Sequence, residues 1–305
     1  MEKTKTIVFI QSEMNTISMV EPLICMEEIK EIIVINLEEN KTQNTKMPLH
    51  SNKITYGTFE DCARSDIVII ACHLVLPLYQ TKLQFAKENA LYIKRVTQQV
   101  VQSGFQGIFV VASQPVDYMT YVVERVSHFP SKKVIGTGNV FYSMILQNRL
   151  SKLLKVSPLD IHAYLLGEQG QLSLIPWSNT YVGYMTIDDY LDSHAISQCQ
   201  LENIEKDIKE STYQMIENEH FIYEEVTQSI VKIIKAIVYD EKMILCVSCK
   251  QKGHVYYSMP VIINQDGIKE HLKMTLEEKE NDKLKRIHHQ LFQIIDTLIN
   301  PELER

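Results

Sequence analysis

The 305-residue sequence lacks a long apolar run. Its longest, DIVIIACHLVLPL, is broken by His73 and Pro77, whereas a membrane-spanning helix takes about 20 consecutive apolar residues. A secretory leader is missing too: in the opening MEKTKTIVFI, the stretch Ile7–Ile10 is too short for a signal core and reads as a first strand. Cysteine is sparse, with six residues scattered along the chain, so a disulfide framework is excluded and a reducing cytoplasm is the expected setting. Basic excess is also absent. Thirty-one Lys and Arg stand against 38 Asp and Glu, a net charge of −7, and no basic cluster is interleaved with aromatics. Nucleic acid is therefore not an expected partner, and neither is a membrane. Internal repeats and low-complexity tracts are missing as well.

One cysteine pair has metal-like spacing. Cys246 and Cys249 form a CxxC inside MILCVSCKQ, an apolar run without Gly or Pro. In a strand, residues three apart point to opposite faces, so the two sulfurs cannot share an ion. The expectation is two buried strand cysteines and no metal site.

What is present is strand–helix alternation. TIVFI, EIIVIN, DIVIIAC, GIFVVAS and KVIGTG read as buried parallel strands. Between them, Leu83, Phe85, Ala86, Ala90, Ile93, Val96 and Val100 hold a 3.6-residue period that predicts a helix from Thr81 to Gly104. This is the pattern of a doubly wound α/β unit. In the second half, DIHAYLLGEQGQLSLIPW and MILCVSCKQKGHVYYSMPVIIN resemble antiparallel strands, and helices are predicted over 201–239 and 276–298. The length suggests about two domains. The expected division is a Rossmann-like domain over 1–140 and an α+β domain over 141–305. Within the second, LLGEQGQLSLIPW has the shape of an active-site loop. It offers Glu168, Gln169 and Gln171, and the two amides neither take nor give a proton near neutrality.

The blocks GTFEDCARSDIVIIAC, VVQSGFQGIFVVASQPVDYMTYV, KKVIGTGNV, HAYLLGEQG and MPVIINQDGI, in that order, resemble the L-lactate dehydrogenase branch of the lactate/malate dehydrogenase family. The similarity runs from Thr6 to about Leu298. It implies an NAD(P)-binding Rossmann-like doubly wound parallel sheet followed by a lactate/malate-dehydrogenase-type C-terminal α+β domain. It also implies a chemistry: reduction of a 2-keto acid by a nicotinamide, with an imidazolium giving the proton.

The resemblance places altered residues at the positions that carry those roles. Gln169 stands at the proton-donating histidine of the family's G-E-H-G-D loop, and Tyr142 at the aspartate that orients it. Ile145 takes the place of the arginine that clamps the substrate carboxylate, and an isoleucine offers no hydrogen bond. Lys82 replaces the arginine of the closing loop, keeping charge without the planar fork, and Leu76 takes the specificity position. Ile222 replaces a pocket threonine and follows His220 and Phe221 where the family has Gly and Ala. At the cofactor, Gln11, Glu13 and Thr16 occupy the three glycine positions of the phosphate-binding turn. Asn36 replaces the ribose-binding acid, Gln114 the nicotinamide-contacting Asn, and Cys72, His73 and Leu74 the small A-G-A run. The framework residues Pro115, Val116, Asp117, Gly136, Gly138, Gly167, Glu168, Gly170, Pro176 and Trp177 match the family.

The resemblance therefore implies an L-lactate dehydrogenase-like protein that has lost NAD-dependent 2-hydroxy-acid oxidoreductase activity and acts by binding or assembly. No cofactor is expected, with NAD or NADH entering only if the altered site still binds it. Assembly with itself or with a true dehydrogenase is the expected mode. The segment between Asn36 and Gly57, however, is shorter than the family's and lacks the amphipathic helix of its main dimer contact. Two readings stay open beside this one. A weak or altered NAD-dependent oxidoreductase would draw on Tyr142, His73, His220 and Lys82. A sensor pocket would be lined by Ile145, Ile222, Leu74 and Leu76, unless those side chains simply fill the cleft.

Overall fold

A computed structural model describes residues 4–12, 19–37, 51–72, 82–170, 172–216 and 219–304, with backbone alone at 82–83, 211–216 and 219–223. Six parallel strands form its first part. They are β1 (Lys5–Gln11), β2 (Ile29–Asn36), β3 (Ile54–Tyr56), β4 (Ile67–Ala71), β5 (Ile108–Val111) and β6 (Val134–Gly136). Their order, β3-β2-β1-β4-β5-β6, reverses direction at β1, leaving a crevice between the C-terminal ends of β1 and β4. The strands read as unbroken apolar runs because both faces of the sheet are covered. Val8, Ile10, Ile33, Val68 and Ile70 enter one hydrophobic cluster, while their neighbours Ile7, Phe9, Ile32, Ile67 and Ile69 enter another.

The helices follow the apolar period of the sequence. A short α1 (Glu21–Ile24) precedes α2 (Lys82–Gln102), α3 (Val116–Ser127) and α4 (Val140–Leu154). Helix α2 presents Ala86, Ala90, Ile93, Val96 and Val100 to the first cluster, and Gly104 ends its loop at φ +95°. The predicted start, Thr81, lies outside the described residues.

The second part is antiparallel. After β7 (Ile161–His162), β8 (Leu166–Gly167) and β9 (Ser173–Leu174) form a hairpin around the LGEQGQL loop. Strands β10 (Tyr181–Val182) and β11 (Met185–Thr186) join β7 in a small sheet, followed by α5 (Ile187–His194). Over the helix predicted at 201–239 the described residues form α6 (Cys199–Ile216) and α7 (Glu219–Val238), with 217–218 outside the described residues. Then come β12 (Met243–Lys250), β13 (Tyr256–Asn264) and β14 (Gly267–His271). Helix α8 (Glu278–Ile294) ends the C-terminal region, running into a π-turn at Ile295–Ile299 and α9 (Asn300–Glu304). Ser248 of β12 pairs with Gly136 of β6, and Ser258 of β13 pairs with Gly167 of β8. One continuous sheet thus carries the β8–β9 loop up against the start of α4.

Cys246 and Cys249 lie in β12, 1% and 0% exposed, and fall in opposite hydrophobic clusters as a strand's period of two requires. Among the described residues no His, Cys, Asp and Glu group can hold a metal, and no helix is long and apolar enough to cross a membrane.

Candidate active site

The start of α4 is held by a close backbone approach. Gly138 adopts φ +50°, and a Cβ there would lie 2.3 Å from Ser248 N. Next to it, Asn139 donates its backbone N–H to Ser258 Oγ at 2.9 Å and its Nδ2 to Gly167 O at 3.2 Å. Helix α4 is thereby fastened to both β13 and β8. Tyr142, less than one turn further on, faces the β8–β9 loop.

That loop keeps its shape through its glycines and one buried acid. Gly167 and Gly170 have φ of +90° and +144°, open to glycine and strained for other residues. Glu168 N–H donates to Leu172 O across the turn at 2.9 Å, and Gln169 N–H donates to Asp117 Oδ2 at 2.9 Å. Asp117 comes from the first turn of α3 and is 2% exposed.

The third contributor is α7, which brings Glu225 to the same point. Tyr142 OH donates to Glu225 Oε2 at 2.8 Å, and Gln169 Nε2 donates to Glu225 Oε1. Tyr142, Gln169 and Glu225 are 2%, 8% and 5% exposed, so the three form a closed, buried knot. Burial pushes the Glu225 carboxyl up to about 7, against the pull of the hydrogen bonds from Tyr142 and Gln169. Burial, followed by the charge and hydrogen bond of Glu225, raises the Tyr142 phenol far above its ordinary range, so it remains a donor.

Glu225 is the residue that sequence reasoning missed. The signal was present in the register of α7. Glu225, Ser229 and Ile233, spaced four apart, share a buried stripe, and an acid in an apolar register signals a partner elsewhere in the fold.

The other singled-out positions are placed as follows. Ile145 is half-buried and packs against a cluster that includes Leu146, Leu150, Ile161 and Ile175. Its side chain can hold no carboxylate. Lys82 is the first residue of α2, and Ile222, with His220 and Phe221, lies in α7; for these only the backbone is described. Glu13, Thr16, His73, Leu74, Leu76 and Gln171 lie outside the described residues.

Gln11 ends β1 and pairs with Asn36 and Ala71 on either side, at the crevice where a dinucleotide would meet the sheet. A pyrophosphate needs bare backbone there. Gln11 is instead 1% exposed and Ser12 5% exposed, so both are buried at the end of β1. Gln11, at a glycine position of the family's turn, does not offer that bare backbone, and Glu13 and Thr16 of the same turn lie outside the described residues. Nearby, Cys72 is fully buried, its thiol pushed up to about 12 by desolvation. Gln114 is half-buried, and its carbonyl accepts from Asn89 Nδ2 at 2.7 Å. The structure thus unites Gln169 with Tyr142, places Gln11 beside Asn36, and leaves Ile145 in an apolar layer.

Comparison with known proteins accounts for this architecture. Residues 19–136 match the lactate/malate dehydrogenase NAD-binding domain, beginning after β1. Residues 144–301 match the lactate/malate dehydrogenase alpha/beta C-terminal domain. An L-lactate dehydrogenase of Borrelia turicatae is 33% identical over 285 residues, covering 88% of this chain and 90% of that protein. One from Macrococcus caseolyticus is 31% identical over 266 residues, covering 83% and 84%. Among solved structures, the ligand-unbound minor L-lactate dehydrogenase of Enterococcus mundtii superposes with a TM-score of 0.88 at 28% identity, covering 98% of this chain and 99% of that one. A lactate dehydrogenase enzyme from a Medee basin deep-sea metagenome library gives the same TM-score at 27% identity, covering 99% and 100%. With both domain types matched in order and with relatives of this identity over most of their length, the chain belongs to the lactate/malate dehydrogenase family.

Proposed function

We propose that this member of the family has lost NAD-dependent 2-hydroxy-acid oxidoreductase activity and acts by binding or assembly, with itself or with a true dehydrogenase, in the cytoplasm. The observation that carries the reading is the Glu225 knot. Gln169 and Tyr142, the positions that the family resemblance gives to the proton donor and its orienting acid, direct their side-chain donors at a buried carboxylate. Ile145 supplies no charge for a keto-acid carboxylate, and burying a carboxylate beside it incurs a desolvation cost that its side chain does not offset. Gln11, buried at a position where the family has a phosphate-binding glycine, supports the absence of a resident dinucleotide.

The test is NADH binding, followed by calorimetry and by the fluorescence of Trp177, the only tryptophan, together with pyruvate-dependent NADH oxidation. The expected result is no saturable binding at millimolar NADH and no turnover. Micromolar binding with turnover refutes the proposal.

A second reading, a weak or altered NAD-dependent oxidoreductase, is favoured by one observation: Glu225 carries a proton near neutrality between Gln169 and Tyr142. On that reading, any NADH-dependent carbonyl reduction vanishes in Glu225→Gln and falls as pH rises through about 7.

A further inference from the structure

Away from the Glu225 knot, another face of α4 lines a small cavity that opens to solvent on one side. Ser143 and Gln147, four residues apart, are neighbours along that face of the helix. Around them stand Tyr164, between β7 and β8, Cys246 of β12 and Lys232 of α7, and the other lining side chains are apolar. The space is about 50 Å³, and its wall is more polar than apolar. About 10–15 Å³ suffices for one water molecule, so the cavity takes a few particles of that size and no extended ligand.

Its polar groups are chiefly donors without an acceptor. Ser143 is engaged, since its Oγ accepts from Leu165 N at 3.0 Å. Gln147 Nε2 donates one of its two hydrogens to Ala163 O at 3.1 Å and retains the other. Among the described residues the Lys232 ammonium and the Tyr164 hydroxyl have no hydrogen-bond or ion-pair partner. No group of the lining supplies negative charge either. Burial raises the Tyr164 phenol and the Cys246 thiol above their ordinary ranges, so both stay neutral. Lys232 is half-buried, and burial and then the neighbouring Lys235 cation weaken its hold on a proton. An anion in the cavity offsets both effects.

We propose that the cavity binds one monatomic anion of chloride size, held by the Lys232 ammonium, the second Gln147 amide hydrogen and the Tyr164 hydroxyl. A halide only accepts, has no preferred direction and needs little more room than a water molecule. Carboxylates and phosphates bring further oxygens that the small volume does not hold and the apolar part of the wall does not satisfy. The site shares no side chain with the Glu225 knot, and the inference is independent of whether the chain turns over substrate.

The test titrates the full chain with sodium chloride at constant ionic strength, balanced with sodium gluconate, and follows the chlorine NMR line width. Protein-dependent broadening that saturates at roughly 10–100 mM is expected, reversed by bromide and unaffected by sulfate. Lys232→Met keeps the length of the side chain without its charge and should weaken binding at least about tenfold. Lys235→Met removes an equal charge outside the cavity and should weaken it less than about threefold. Circular dichroism establishes that each variant is folded. In crystals of the wild type grown with sodium bromide, an anomalous bromide peak is expected within hydrogen-bond distance of Lys232 Nζ, and this result decides the matter if Lys232→Met does not fold. The inference is overturned if chloride shows no saturable broadening, or if folded Lys232→Met binds as the wild type does. It is equally overturned if Lys235→Met loses as much as Lys232→Met, if sulfate displaces chloride as well as bromide does, or if the cavity holds water without an anomalous signal.

Discussion

Replacing Glu225 by glutamine should change how stability depends on pH, and the sign is opposite to that of an ordinary paired carboxylate. In the folded chain the Glu225 carboxyl is raised from an ordinary 4.5 to about 7, chiefly by burial. The unfolded chain ionises it near its ordinary value. Between those two pH values the folded state therefore holds a proton that the unfolded state has released. Stability then falls as pH rises through the window and levels off above about 7. The window is 7 − 4.5, about 2.5 units, and at about 1.4 kcal/mol per unit this amounts to roughly 3 kcal/mol lost between pH 4.5 and pH 8. Glu225→Gln keeps a side chain that can accept from Tyr142 but does not titrate. Relative to wild type it should gain roughly 3 kcal/mol on going from pH 4.5 to pH 8. The assay is urea unfolding of both proteins at half-unit pH steps, followed by Trp177 fluorescence and circular dichroism. Taking the difference cancels the other titrating groups. A difference between the two proteins that stays constant across this range, or grows in favour of the wild type, refutes the buried-carboxyl argument.

The remaining expectations follow from the same geometry. Tyr142→Phe removes a donor to the buried carboxylate and should destabilise by about 1–3 kcal/mol, more at pH 8 than at pH 5, because the hydroxyl stabilises the ionised form. Urea midpoints at the two pH values measure it. Gly138→Ala places a Cβ 2.3 Å from Ser248 N at φ +50°, and a loss of about 2 kcal/mol or more is expected in the same assay. Leu150→Ala empties a fully buried site in the α4 cluster and should cost about 2–5 kcal/mol while leaving the pH dependence of wild type unchanged. That variant separates general destabilisation from the Glu225 effect.

The alternation of apolar strands with periodic helices was legible along the chain because it is local. A strand covered on both faces must be apolar at successive positions, as in Ile7–Ile10 and Ile67–Ile70, and a helix on a sheet must repeat every three to four residues, as in α2. The opposite orientations of Cys246 and Cys249 follow from the same strand period. The loop glycines were legible too, since Gly167 and Gly170 adopt backbone angles that few other residues tolerate.

What only the tertiary structure decided is where the proton-bearing group lies. Sequence position alone set Gln169 and Tyr142 where the family resemblance puts the acid and its partner. It said nothing of Glu225, which is 56 residues from one and 83 from the other. Its elevated affinity for a proton is not a property of glutamate or of its neighbours in the chain. It arises because α4, α7 and the β8–β9 loop converge to exclude water from one carboxyl group and bring two donors to it. Desolvation depends on everything that surrounds a group, and the chain acquires those surroundings only when it folds.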